Sequence, residues 1–285
     1  MVVGIGEIVW DVFPDGPRLG GAPANFVYYS QLLNQKSFLV SRIGDDELGK
    51  ETLIQLSSHK MIIDYIQIDK THPTGTVKVR LDPNGVPVFS IQENVAWDYL
   101  EKSPALQELA RQASAVYFGS LALRSLQSRE TINWFLAQTR PDCLRVLDIN
   151  LRPPFYSKEL LDSLLRLTDI LKLNDGELST IGRIFFPSLS SEEAISRELI
   201  KNYKIKLVAL TKGQNGSRLI TADKESCHPG FSVEVVDTVG AGDSFASVLV
   251  AGLLLGKELD EINCEANRLA SQVCSQQGAW TKVKI

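Results

Sequence analysis

Short apolar runs rich in β-branched side chains recur along the chain, with longer helix-like stretches between them. They are VVGI at 2–5, AVYF at 115–118, LRVLDI at 144–149, DILKL at 169–173 and IKLVAL at 205–210. Runs with little polar alternation suit strands covered on both faces, and strands separated by helices pair in parallel. The helices carry start signals. Ser103 precedes Pro104 at the head of ALQELARQA, and Ser157 precedes KELLDSLLRL, which is apolar at 160, 161, 164 and 165. Near the end, positions 259, 262, 266, 269, 270 and 273 form an apolar stripe, with Gly278 as its expected stop. The pattern predicts an α/β fold in three layers, α/β/α, around a mostly parallel sheet. At 285 residues that is one large domain or two small ones. The sequence has no internal repeat.

One segment breaks the alternation. TVKVRLDPNGVPVFSI at 76–91 reads as two strands around Asn84-Gly85, a hairpin signal. A hairpin cannot be a parallel strand of the main sheet, so it either caps an edge or projects. If it projects, it can close over a site and exclude water.

DTVGAGDSFA at 237–246 places small residues and an acid immediately before the apolar segment ASVLVAGLLLG. Gly240, Ala241 and Gly242 then open a buried helix whose first N–H groups lack intrahelical partners. Together with the positive end of the helix dipole, those donors suit an anion. Asp243 on the same turn would repel that anion unless it serves as a base in phosphoryl transfer. On this stretch alone, an ordinary helix start with a first-turn acid explains the pattern equally well.

Charge narrows the partners. A net charge of −4 and a pI near 5.5 argue against a nucleic-acid footprint. A polyanionic substrate would need a metal ion and local backbone donors to supply positive field. The four cysteines, at 143, 227, 264 and 274, form no C-x-x-C pair and read as free thiols. MVVGIGEIVWD lacks the pattern of a signal peptide, and the apolar run at 245–255 is too short to span a bilayer. A cytoplasmic location is therefore expected.

Two nucleotide-binding lookalikes fail. The G-I-G at 4–6 has Val9 where a dinucleotide fingerprint needs its third glycine. GDDELGKE at 44–51 has Glu51 where a P-loop needs a hydroxyl, and three acids that would repel phosphate. The polar residues following the strand regions are more informative. Asp11, Asp148, Asn150, Asn174, Thr211 and Gly213 all fall at or beyond carboxyl ends, where open α/β sheets bind ligands. Each alone could be a cap or a turn residue. Their shared edge, which also takes in Gly20-Gly21 and the helix start at 240–243, favours a site.

GGAPANFVYYSQLLN…SRIGDDELG at 20–49 and DTVGAGDSF at 237–245 resemble the two signature regions of the PfkB, or ribokinase-like, carbohydrate kinases. GEIVWDVFPDG at 6–16, NVAWDYL at 94–100, DINLRPPF at 148–155, KLNDGE at 172–177 and LTKGQNGS at 210–217 extend the resemblance over the chain. It is most like the bacterial fructokinase branch. The resemblance implies one ribokinase-like domain over 1–285, with a small β lid from residues about 12–19 and 72–100. It also implies a role for each motif residue. Asp243 matches the catalytic base, and Gly240, Ala241 and Gly242 match the anion hole. Asp11, Gly20, Gly21 and Asn25 match sugar contacts, with Asn150 and Arg152 beside the sugar or phosphates. Trp10, Phe89 and Trp97 are candidate apolar walls for the sugar, with packing of the lid explaining each equally well. Asn174 and Glu177 match an N-x-x-E motif that organises Mg²⁺ through its waters. Thr211, Lys212, Gly213, Gly216 and Asn267 match the ATP site. Asp237, with the 275–278 loop, matches a monovalent-cation (K⁺) site. Lids of this kind can also pair two copies into a homodimer.

The expected activity is ATP-dependent phosphorylation of a primary hydroxyl of a small sugar, D-fructose first. The alternatives are ribose, a nucleoside, 2-keto-3-deoxygluconate, or a binding protein without turnover. An intact base, anion hole and Glu177 argue against the last.

Overall fold

The computed structural model describes residues 1–13, 16–81 and 87–283. The chain opens with β1 (Val2–Ile5), β2 (Val9–Phe13) and β3 (Gly16–Gly20), then α1 (Ala22–Leu32), β4 (Ser37–Gly44) and α2 (Glu47–Ser58). After β5 (Ile66–Asp69) come the hairpin strands β6 (Thr76–Leu81) and β7 (Pro87–Ile91). Alternation then sets in with α3 (Pro104–Gln112), β8 (Ala115–Gly119), α4 (Leu126–Ala137), β9 (Leu144–Asp148), α5 (Lys158–Arg166) and β10 (Ile170–Asn174). Two helices, α6 (Asp175–Phe185) and α7 (Glu192–Tyr203), lead to β11 (Leu207–Thr211), β12 (Ser217–Ile220) and β13 (Glu225–His228). The chain closes on α8 (Ala241–Leu254) and α9 (Leu259–Cys274).

Among the described residues, nine strands form the central sheet in the order β13-β12-β11-β10-β9-β8-β1-β4-β5. All neighbours pair in parallel except β11–β12 and β12–β13. Strand side chains alternate between faces, and the core divides accordingly. Val3, Val116, Phe118, Leu147, Leu171 and Val208 pack with α3 to α7. Val2, Ala115, Tyr117, Val146, Ile170 and Leu207 pack with α1, α2, α8 and α9. This is the expected three-layer arrangement, and its parity decides what reaches the site.

The second sheet has the order β3-β2-β6-β7, with β6 and β7 antiparallel as the hairpin signal required. The Asn84-Gly85 tip lies outside the described residues. The structure adjusts the expected lid segments. The first strand pair runs from Val9 to Gly20, not from about 12. Residues 95–100 leave the sheet altogether, and the turn Ala96–Tyr99 tucks Ala96, Trp97 and Asp98 into the main body. The serine caps form as read: Ser103 Oγ accepts from Leu106 N at 3.2 Å, and Ser157 Oγ accepts from Leu160 N at 3.3 Å. The last helix stops at Cys274, before Gly278, which serves the following turn at φ +87°. In the false P-loop, Asp46 caps α2 by accepting from Gly49 N and also binds Thr74, a structural role.

Candidate active site

The strand register brings three polar side chains together. Asp148 lies beside Lys172 across the β9–β10 ladder, and Tyr117 shares their face of the sheet. That face is covered by α1 and α8, so the side chains meet the first turn of α8. Lys172 Nζ donates to Asp148 Oδ2 at 2.7 Å, with both side chains nearly fully buried. Burial opposes the lysine's charge, but Asp148 outweighs it and holds Lys172 above its ordinary range. The Tyr117 hydroxyl stands 2.8 Å from Asp148 Oδ2 and 2.8 Å from Asp243 Oδ1. Asp243 Oδ2 accepts from Asn25 Nδ2 at 2.8 Å, and Asn25 Oδ1 in turn accepts from Trp280 Nε1 at 2.9 Å. Both oxygens of Asp243 are therefore held. Burial, then the charge of Asp148, lifts its carboxyl from 3.8 to about 6, against the pull of Lys172, Asn25 and Tyr117.

The start of α8 has the form the small residues implied. Gly240 adopts φ +80°, and a Cβ there would lie 2.8 Å from the Ala279 carbonyl, so only glycine fits. The N–H groups of Gly242 and Asp243 leave the first turn without intrahelical partners. Ala241 N instead makes a 3.3 Å turn bond to Thr238 O. A Cβ on Gly242 would come 3.1 Å from Lys172 Nζ, so a buried ammonium faces the same spot as these amides. Backbone donors, a helix dipole and a lysine thus converge beside a carboxylate able to take a proton.

A cavity of about 710 Å³ opens on one side of this turn. Thr211, Gly213, Gly216 and Asn267 line it with Phe231, Ala241 and Gly242. Gly216, at φ +77°, passes so close to the His228 carbonyl that a Cβ would sit 1.9 Å from that oxygen. Asn267 contributes to the wall while its Nδ2 bonds Ser217 and Asn263. Lys212 does not belong here: its ammonium pairs with Glu192 on α7 at 2.9 Å and does not line the cavity.

Of the residues expected to hold a sugar, Asn25 bonds Asp243 directly, and Asp11 lies within electrostatic reach of Arg152. Gly20 leaves room for the Asp11 carboxylate, 3.1 Å from where a Cβ would stand. Burial raises Asp11 to about 6, while Arg152 pulls it down and Asp237 pushes it up. Gly21, at φ +114°, abuts the Glu7 carbonyl. Asn150 turns the chain at φ +38°. Trp97 needs correcting as a wall. It is 0 % exposed, with the Arg124 guanidinium 4.1 Å over its ring, so it supports the site from the core. Arg124 is itself fixed by a bidentate pair with Asp98. The side chain of Phe89 lies outside what the structure describes.

The metal residues require a fit test. Asn174 and Glu177 form a capping box at the start of α6. Asn174 Oδ1 accepts from Glu177 N, and Glu177 Oε2 accepts from Asn174 N, both at 2.8 Å. Glu177 Oε1 accepts from Leu151 N at 3.0 Å, tying the cap to the loop after β9. Burial, then Asp148, raises the Glu177 carboxyl. Each oxygen keeps a lone pair for a metal-bound water, and hard oxygen donors suit Mg²⁺. Among the described residues no three His, Cys, Asp or Glu side chains cluster as a cation cage. The Glu177 oxygens thus fit a magnesium ion reached through water. Asp237 accepts from Val239 N and from Gly278 N, which joins the two loops named for the monovalent cation by loop-closing hydrogen bonds.

Comparison with known proteins decides the family. The model of the pfkB family carbohydrate kinases matches residues 16–284. The chain belongs to the pfkB family. A fructokinase of Klebsiella pneumoniae is 30% identical over 98% of this chain and 92% of its own. The crystal structure of an uncharacterized sugar kinase from Pyrococcus horikoshii superposes with a TM-score of 0.83 at 27% identity, covering 98% of this chain and 93% of that one. The complex of that kinase with ATP gives a TM-score of 0.79 at 27% identity, over 98% and 94%. As a pfkB carbohydrate kinase the protein is a phosphotransferase with a ribokinase-like fold, and no described helix is long and apolar enough to cross a membrane.

Four participants were not singled out in the sequence: Glu7, Tyr117, Lys172 and Trp280. Lys172 carried a signal, since a lysine inside DILKL must find a partner when the strand is buried. Glu7, 3 % exposed, is raised from 4.5 to about 7. Burial is the main cause and Asp243 adds to it, against its own backbone amide, Arg152 and Arg124.

Proposed function

We propose that the protein is a fructokinase that transfers the γ-phosphoryl group of ATP to a primary hydroxyl of D-fructose. The observation carrying this reading is Asp243, a carboxylate with both oxygens held, on the helix turn whose amides face the nucleotide-side cavity. The fructokinase relative supports the choice of sugar. ATP would occupy the cavity lined by Thr211, Gly213, Gly216 and Asn267. The sugar would lie against Asp11, Gly20, Gly21 and Asn150, with Arg152 near the transferred group. Asp243 takes the proton of the attacking hydroxyl. The amides of Gly242 and Asp243, with Lys172, stabilise charge on the transferring group. Magnesium, when bound through the waters of Glu177, neutralises phosphate charge. The second sheet acts as a lid that keeps water from the phosphoryl group. A K⁺ at Asp237 and pairing of two lids are parts of the same reading.

The test is Asp243→Asn, with ADP release measured over a panel of sugars and nucleosides. The variant keeps shape and loses the proton acceptor. Turnover on fructose should fall by about 10²–10⁴ while both dissociation constants hardly change. A normal kcat would remove Asp243 from the chemistry. A panel in which another sugar or a nucleoside exceeds fructose would replace the substrate.

A further inference from the structure

A phenol has one proton, yet the Tyr117 oxygen lies 2.8 Å from a carboxylate oxygen on each side. With Asp148 and Asp243 both ionised, one of those contacts would set lone pair against lone pair in a buried site. Two short contacts hold together only if one extra proton is present. Asp148 is the wrong place for it, because Oδ2 already receives the Lys172 ammonium at 2.7 Å. Asp243 is the right place. Its Oδ2 is bound by Asn25, leaving Oδ1 to carry a proton toward Tyr117.

We propose that Tyr117 is a positioning residue that shares one proton between the two acids: in the free enzyme Asp243 Oδ1–H donates to the phenolic oxygen, and the phenol donates to Asp148. Below about pH 6 the base is thus stored neutral. ATP then meets the anion hole without a negative carboxylate beside it, and the stored proton leaves to solvent before Asp243 accepts one from the acceptor hydroxyl. Burial, then the charge of Asp148, lifts Asp243 to about 6, so the neutral form fills as pH falls through that value. The groups that bear on Asp243 are Tyr117 from β8, Asp148 from β9, Lys172 from β10, Tyr29 from α1 and Glu7 from the turn before β2. The uncharged Asn25 of α1 completes the set.

The sign of one shift tests the proposal. In Tyr117→Phe the ring can remain stacked on Phe26, whose centroid lies 4.3 Å away at 3°. The side-chain carboxyl of Asp243 is followed by ¹³C NMR in ligand-free protein labelled on aspartate, and assigned by its loss in Asp243→Asn. If Tyr117 accepts from the protonated acid, removing the hydroxyl lowers the Asp243 midpoint, by about one pH unit. The acid limb of kcat/KM should move down with it, kcat should fall and KM should hardly change. If Tyr117 merely donates to the ionised base, the midpoint rises. A rise, or no movement, overturns the proposal. Should the variant not fold, the wild type gives the answer: the Asp148 carboxyl must respond at the Asp243 midpoint, and an unresponsive Asp148 refutes sharing. The kinetic arm rests on Asp243 being the base of the proposed kinase, whereas the NMR arm does not. Loss of the kinase reading would therefore leave the proton count standing, and the reverse.

Discussion

Glu7→Gln should stabilise the ligand-free protein at alkaline pH and change it little at acid pH. Glu7 lies between β1 and β2, and its Oε2 is buried with no hydrogen-bond partner. Its folded-state value of about 7 stands above the ordinary 4.5. Between those values the native state binds more protons than the unfolded chain, so stability falls as pH rises through that window. Above pH 7 the penalty is complete, and a rise of this size corresponds to roughly 3 kcal/mol. Glutamine resembles the protonated acid in shape and in carrying one donor side, but it has no charge to bury. The variant should therefore exceed the wild type by roughly 3 kcal/mol at pH 8 and by less than about 1 kcal/mol at pH 5. For a chain of this size that is an increase in Tm of roughly 5–10 °C at pH 8. Thermal scans at both pH values, backed by urea titration, measure the difference, and other raised acids cancel between the two proteins. A gap equal at both pH values, or a variant less stable at pH 8, would show that Glu7 does not carry a buried charge.

Two further outcomes are expected. Asp11→Ala should weaken sugar binding by roughly ten- to a hundredfold, the loss of one charge-assisted hydrogen bond, with ATP affinity nearly unchanged by calorimetry; equal losses for both ligands would place Asp11 elsewhere. Glu177→Ala should lower turnover at limiting Mg²⁺, with excess Mg²⁺ restoring part of it, and should lower stability by about 1 kcal/mol because the capping box and the bond to Leu151 N are lost; a wild-type response to Mg²⁺ would leave Glu177 only the cap.

The parallel strands and the helix starts were legible because buried runs and serine caps are local signals. β4 was hidden because SFLVSRIG, though almost wholly buried, has its apolar run broken by Ser41 and Arg42. β12 and β13 are short, and their polar residues hide the period. The turn of Gly240 and Gly242 that opens α8, with Asp243 on it, was legible since a glycine-rich helix start constrains its own backbone. Trp97 stayed open between a sugar wall and packing because a sequence cannot say whether an aromatic beside a lid faces the ligand or the core; the structure puts it in the core. Lys212 was carried by its motif, while Glu192, which takes its charge, lies on a helix twenty residues earlier. Tyr117 was invisible for a different reason. AVYF reads as a core strand, and only the β8–β9 register, which puts Tyr117 on the same face as Asp148, turns its hydroxyl into part of the site.

Asp243 is steadied by partners from far along the chain. Its bonds to Asn25 and Tyr117 span 218 and 126 positions, and the Trp280 bond that orients Asn25 spans 255. Contacts so distant in sequence form only after the intervening loops have closed. A partly folded chain can therefore own its helices, its sheet pairs and even its glycine turn, and still hold an Asp243 side chain that points nowhere. Activity regained on refolding should trail the return of helical signal, which makes the carboxylate of Asp243 a reporter of the last long-range contacts rather than of the first structure to appear.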